Sequence, residues 1–153
     1  MVRATFLPLT SPEIPQVLAL MSQLYAQDAI AWDEDRSRKG IADLLAAPEL
    51  GGIWLIQVDG ATAGYLVLTI CFSLEFHGRY ALLDEFFVEE QWRSQGIGSQ
   101  ALGFAEDQCR LRGLNALRLE VAHENVRALE LYRRRGFDLH DRYVMTRWLD
   151  NLC

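Results

Sequence analysis

Two β-rich runs, "GIWLIQV" at 52–58 and "TAGYLVLTICF" at 62–72, meet at Asp59-Gly60. That dipeptide suits the left-handed backbone of a two-residue turn, so the runs are expected to pair as an antiparallel hairpin. "RYALLDEFFV" at 79–88 follows as another strand, and "VRATFLPL" at 2–9 alternates weakly enough to be a first one. Between them, Ser11 and Pro12 open a helix whose apolar Ile14, Val17, Leu18, Met21, Leu24 and Tyr25 share one face. A shorter helix is expected around Ile41, Leu44 and Leu45, stopped before Pro48. A third, from about Ser94, carries Ile97, Ala101, Leu102, Ala105 and Cys109 on one side, and Gly113 is placed to end it. "ALRLEV" at 116–121 is a strand, Asn125 to Gly136 a helix, and "FDLHDRYVMTRWL" at 137–149 supplies one or two closing strands. The order β-α-α-β-β-β-α-β-α-β describes an α+β (mixed α/β) fold, its helices segregated around a mixed sheet.

No repeat, low-complexity tract or linker interrupts the 153 residues, so residues 1–153 read as a single domain. The net charge is −6, with 15 basic against 21 acidic residues, which argues against nucleic acid as a partner. The longest apolar run, "AGYLVLTICF", is too short to span a bilayer, and "MVRATFLPLTSPE" lacks the apolar stretch of a secretory signal. Cys71, Cys109 and Cys153 have no C-x-x-C spacing, and His77, His123 and His140 lack metal-ligand spacing. The expectation is a soluble, cytoplasmic protein with reduced thiols and no metal.

Within "VEEQWRSQGIG" two glycines, Gly96 and Gly98, sit where helix formers would serve better. Glycine there implies a backbone with positive φ or a close approach, and a phosphate is the usual reason for such a loop at a helix start. A dinucleotide reading of "GIGSQA" fits poorly. Seven residues separate Val88 from Gly96, where that fold allows almost none, and only one β-α-β unit follows. A Walker A loop fails because no Lys follows the glycines.

Three segments in order, "LLDEFFV", "RSQGIG" and "NVRALELYRRRGF", carry a resemblance to the GNAT superfamily of acetyl-CoA-dependent N-acetyltransferases. The likeness covers essentially residues 2–149 in element order. It implies a mostly antiparallel sheet of six to seven strands, splayed between the fourth and fifth, with about four flanking helices. It also implies acetyl-CoA as co-substrate, with its diphosphate on the N–H groups of Ser94, Gln95, Gly96, Ile97, Gly98 and Ser99. Such amides at the positive end of a helix bind phosphate without net positive charge, and a Cβ at Gly96 or Gly98 would hold the phosphates away. Arg93 is a candidate for a further charged contact. By the same resemblance, the backbones of Phe86, Phe87 and Val88 pair with the pantetheine arm as an added strand would. Tyr132 matches the tyrosine that protonates the departing thiolate. Asn125, two turns before it, is both a good N-cap and a candidate cofactor contact.

A protonated amine must lose a proton before it attacks a thioester, and Glu85 is the candidate base, directly or through a water. Asp84 and Glu85 are candidates for binding the substrate's cationic groups. On a regular strand the two face opposite ways, so at most one reaches a cleft unless a bulge intervenes. The segment "CFSLEFHGRYALLDEFFV" looks most like the spermidine/spermine and thialysine acetyltransferases, which implies a small polyamine-like or amino-acid-like acceptor. A non-catalytic coenzyme A-binding sensor and acetylation of a protein or peptide amine are the alternatives. Relatives are often dimers, so a homodimer is a further expectation of the resemblance.

Overall fold

The computed structural model describes residues 1–149; the thiol of Cys153 lies outside the described residues. Its strands are β1 (Ala4–Pro8), β2 (Gly51–Val58), β3 (Ala61–Ser73), β4 (Gly78–Val88) and β5 (Leu117–Leu119). Its helices are α1 (Ile14–Gln27), α2 (Glu34–Ala46), α3 (Ile97–Leu111) and α4 (Val126–Arg134). The strands form one sheet in the order β1-β2-β3-β4-β5, antiparallel except for the parallel pair β4–β5. The hairpin at Asp59-Gly60 is present, both residues with positive φ (51° and 80°).

Local chemistry fixes the helix ends. Thr10 and Glu13 form a capping box ahead of α1, with the Thr10 N–H donating to Glu13 Oε2 at 2.7 Å. Asp33 caps α2 by accepting from the Arg36 N–H at 3.0 Å, and Glu34 and Asp35 follow at the positive end of that helix.

Both faces of the sheet are covered, which explains the nearly unbroken apolar runs of β2 and β3. Val17, Leu18, Met21 and Leu24 of α1 and Ile41 of α2 pack on Ile53, Leu55, Tyr65, Val67 and Phe87. On the other face, Ile97, Ala101, Leu102 and Ala105 of α3 pack on Trp54, Ile56, Leu66, Leu68 and Leu83. Cys109 is buried on this helix, and burial pushes its thiol up from the ordinary value, as befits a packing residue rather than a nucleophile. No helix among the described residues is long and apolar enough to cross a membrane.

Two irregularities in β4 set up the rest of the molecule. Val67 pairs with Glu85 but Leu68 pairs with Leu83, so Asp84 is an extra, bulged residue. The bulge reverses the alternation of side chains along the strand. Leu83 faces α3, as do Phe86 and Val88, whereas Phe87 faces α1. The second irregularity is a fork: β5 pairs only with Ala81, Leu82 and Leu83, leaving Asp84–Val88 without a partner on that side. This is the splay expected between the fourth and fifth strands.

The strand count differs from expectation. Five strands, not six or seven, are present among the described residues, and 137–149 contains none. A strand needs an edge to pair with, and β5 offers only three residues. Instead the segment runs over the surface, with Tyr143 and Met145 each 91% exposed and Arg142 3.5 Å from Glu75 in the β3–β4 turn.

Candidate active site

The segment from Arg93 to Gly98 leads from the turn after β4 into the first turn of α3 and includes two left-handed residues, Ser94 at φ 61° and Gly96 at φ 82°. Successive N–H groups in such a turn converge into an anion-binding hollow. Among the described residues, no acceptor takes up the N–H groups of Ser94 to Ser99. Met1, Val2, Ser94, Gln95 and Gly96 line an open depression of about 600 Å³ beside them. Gln100 fastens the loop to β1: its Oε1 accepts from the Ala4 N–H at 2.9 Å and its Nε2 donates to Val2 O at 2.8 Å.

The two glycines do different things for the loop. Gly96 is required by its positive φ, which L side chains rarely adopt. A Cβ at Gly98 would stand 2.8 Å from Leu131 Cδ2, so this glycine lets α4 pack closely on α3. Arg93 is not a solvated loop residue. Its Nε donates to Val88 O and its Nη2 to Gln27 Oε1, each at 2.8 Å, and it lies over the Phe87 ring. A second cation, Arg127 of α4, reaches the loop and donates to Ser94 Oγ.

The ladder decides which backbone groups face the fork. The Glu89 N–H donates to Ala63 O, and Val88 pairs with Gly64. In an antiparallel pair of that type the N–H and C=O of Val88 and Phe86 turn away from β3, while those of Phe87 turn toward it. The open edge therefore offers Phe86 N–H, Phe86 C=O and Val88 N–H, since Val88 O already accepts from Arg93.

Inside the fork lies a cleft of about 150 Å³ whose walls include Asp28, Asp84, Glu85, Glu120, Asn125 and Tyr132. The bulge is what brings both carboxylates of β4 to it. No Lys, Arg or His lines it among the described residues. Glu85 accepts from Tyr25 Oη on α1 and from Tyr65 Oη on β3, each at 2.7 Å, so both its oxygens are held. Burial raises the Glu85 carboxyl above the ordinary carboxylate value, the two tyrosine donors pull it back, and the charge of Asp84 raises it further. Burial raises both tyrosine hydroxyls, with Glu85 adding to the rise, so they stay protonated donors. Asp84 is exposed by area yet crowded by neighbouring atoms. That partial desolvation, then the charge of Glu120, raises its carboxyl. The Tyr132 hydroxyl is raised by burial and then by Asp28, and its ring packs 5.8 Å from that of Phe137. Asn125 caps α4, its Oδ1 accepting from the Ala128 N–H at 3.2 Å.

The fork thus gathers Asp84, Glu85, Phe86, Asn125 and Tyr132 around one cleft. Asp28 also lines the cleft, Tyr25 and Tyr65 bond to Glu85 behind it, and Gln100 and Arg127 bond around the loop; the sequence alone singles out none of the five as a site residue. In the sequence Tyr25 falls on the apolar face of its helix, and only the bulged register brings Tyr65 beside Glu85.

The model of the acetyltransferase (GNAT) family matches residues 18–137, and the chain belongs to that family. Among curated proteins, the thialysine N-epsilon-acetyltransferase of Bos taurus is 31% identical over 97 residues, covering 63% of this chain and 52% of that protein. An uncharacterized N-acetyltransferase of Methanocaldococcus jannaschii is 29% identical over 99 residues, covering 64% of this chain and 43% of that protein. The chain thus spans about half the length of the curated relatives it matches. Among solved structures, an integron cassette protein from the mobile metagenome of Cole Harbour Salt Marsh superposes with a TM-score of 0.83 at 31% identity, over 95% of this chain and 90% of that one. The aminoglycoside N-acetyltransferase AAC(6')-Iy in complex with CoA shares the fold, with a TM-score of 0.81 at 16% identity over 98% of this chain and 97% of that one.

Proposed function

We propose that the chain transfers the acetyl group of acetyl-CoA to a small primary amine by direct attack in a ternary complex. The observation that carries this reading is the fork in β4. It holds an open backbone edge, a loop of unpartnered amides at one end and a carboxylate-lined cleft with Tyr132 at the other. Family membership and the CoA complex of a structural neighbour support acetyl-CoA as the co-substrate.

Ser94 to Ser99 and Arg127 hold the diphosphate, and Phe86 and Val88 offer backbone partners to the pantetheine arm. Acetyl-CoA, when bound, supplies the activated acyl group. Asp28, Asp84 and Glu120 draw a cationic acceptor into the cleft and orient it. The same negative surround raises the ammonium pKa, so Glu85 removes the proton against that trend. Its own raised carboxyl suits the task, because a base works best when its pKa approaches the working pH. Tyr132, kept protonated by burial and Asp28, delivers a proton to the departing thiolate.

A cleft of about 150 Å³ suits a slender amine of the polyamine or amino-acid type, and the thialysine relative points the same way. The test is release of free thiol from acetyl-CoA across a panel of diamines, lysine analogues, aminoglycosides and peptides. Turnover with small cationic amines is expected. Tight acetyl-CoA binding with no thiol release on any amine would instead mark a coenzyme sensor, and turnover on peptides alone would mark a protein-modifying enzyme.

A further inference from the structure

The acceptor cleft contains one arrangement that general acid–base chemistry does not by itself require. Glu85 is held at both carboxylate oxygens by two phenols from different elements: Tyr25 from the last turn of α1 and Tyr65 from the middle of β3. Tyr65 is 0% exposed, and a phenol so deep in the core needs an acceptor. Tyr25 is only half-buried and is braced edge-on by Trp32, its ring centroid 5.3 Å away. Without the bulge at Asp84, Glu85 would share a face with Leu83 and meet the apolar layer under α3.

We propose that Tyr25 and Tyr65 are positioning residues that clamp Glu85 as a carboxylate and fix both its oxygens toward the acceptor amine. This rests on the reading that Glu85 receives the amine proton. Each phenol uses one lone pair of one oxygen, so the carboxylate cannot rotate, and each oxygen keeps a lone pair for the incoming N–H. The clamp also opposes what favours a protonated Glu85. This is burial and Asp84 on its own strand; Asp28 at the end of α1, Glu120 beyond β5 and the neutral Tyr132 of α4 line the same cleft, and no cation lines it among the described residues. Burial alone would leave Glu85 protonated at higher pH and unable to accept a proton. The two donors return it to a working anion without placing a positive charge in a cleft meant for cations.

The test compares wild type with Tyr25→Phe, Tyr65→Phe and the double variant. It uses the pH profile of kcat/KM with one amine and, separately, the carboxyl titration of Glu85 followed by carbon-13 NMR. Loss of each hydroxyl should move the acid limb and the NMR midpoint up by about one pH unit, because a hydrogen bond to a charged acceptor is worth roughly that much. Acetyl-CoA affinity should stay within about twofold of wild type, since neither phenol touches the loop. A uniform drop in rate with the limb and the midpoint unmoved would overturn the proposal and leave the phenols as packing. Movement in only one variant would overturn its two-sided form. Tyr25→Phe alters a half-buried side chain and keeps the test decisive if Tyr65→Phe fails to fold. If wild type acetylates no amine, the functional reading fails, and the NMR titration still decides the clamp.

Discussion

The loop between β4 and α3 and the cleft under α1 open from the same strand, yet they are built from opposite materials. The loop presents main-chain N–H groups from contiguous residues, held in shape by two left-handed positions. The cleft presents carboxylates from the end of α1, from β4 and from the end of β5, with the Tyr132 phenol of α4, and its shape depends on one bulge. A backbone site of the first kind recognises an anion with fixed dipoles and tolerates an acidic chain. A side-chain site of the second kind recognises a cation, and every pKa in it depends on its neighbours. The two ends should therefore fail independently, and they should respond differently to pH.

Glu85→Gln is the strongest way to break the comparison. The proposed base is removed while one acceptor for the phenols remains, so kcat/KM should fall by about 10²-fold or more. Acetyl-CoA affinity, measured by calorimetry, should be unchanged. A variant that loses turnover and coenzyme affinity together would show that the two ends are not separate sites. Tyr132→Phe should have a smaller effect, lowering turnover by about tenfold with coenzyme affinity intact, because a thiol with a pKa of about 8.5 leaves fairly well unaided. Unchanged turnover would remove Tyr132 from the acid role.

How much of this was legible in the sequence follows the same division. The amide loop could be read because its information is local: two glycines, a preceding strand and a following helix within a dozen residues. Glu85 was legible as a residue but not as a geometry, since nothing in "LLDEFFV" announces that Asp84 is the extra residue. Tyr25 and Tyr65 lie 60 and 20 residues from their partner, and only the folded register joins them. Arg93 reads in the sequence as a cation available to a phosphate, because its bonds to Val88 O and to Gln27, 66 residues away, form only in the fold. The segment 137–149 reads as one or two closing strands, but a β-prone stretch states only that a segment is able to pair; an edge of sufficient length must exist, and β5 has three residues.

On the loop side, Gly96→Ala sharpens the contrast. Its φ of 82° costs an L residue about 1 kcal/mol, so the variant should lose about that much stability in a denaturant titration. Coenzyme affinity should weaken by several-fold as the hollow distorts, while the KM for the amine stays near wild type. The cost is steric and should be the same at pH 5 and pH 8. A pH-dependent loss would mean that a titrating group, and not backbone geometry alone, holds the loop.

Asp84→Asn should give the smallest effect and the opposite signature. Burial and then the charge of Glu120 raise the Asp84 carboxyl in the folded chain above its unfolded value of about 3.9. A folded-state pKa above the unfolded one means that the native form holds the proton more tightly. The corresponding stability is fully present below about pH 4 and is lost as the pH rises through the raised value. At neutral pH the Asp84 charge therefore weighs against folding, and an uncharged Asn removes that penalty. Asp84 is partly exposed and water screens it, so the gain should be well under about 1 kcal/mol, or at most about 3 °C in Tm. The gain should shrink toward zero as the pH is lowered below about 4, where wild type is protonated too. Thermal unfolding of both proteins across that range checks the sign. An Asn variant that is less stable at pH 7, or equally shifted at every pH, would show that Asp84 is not held at an electrostatic cost in the cleft, and the contrast between a loop of main-chain donors and a charge-strained cleft would not stand.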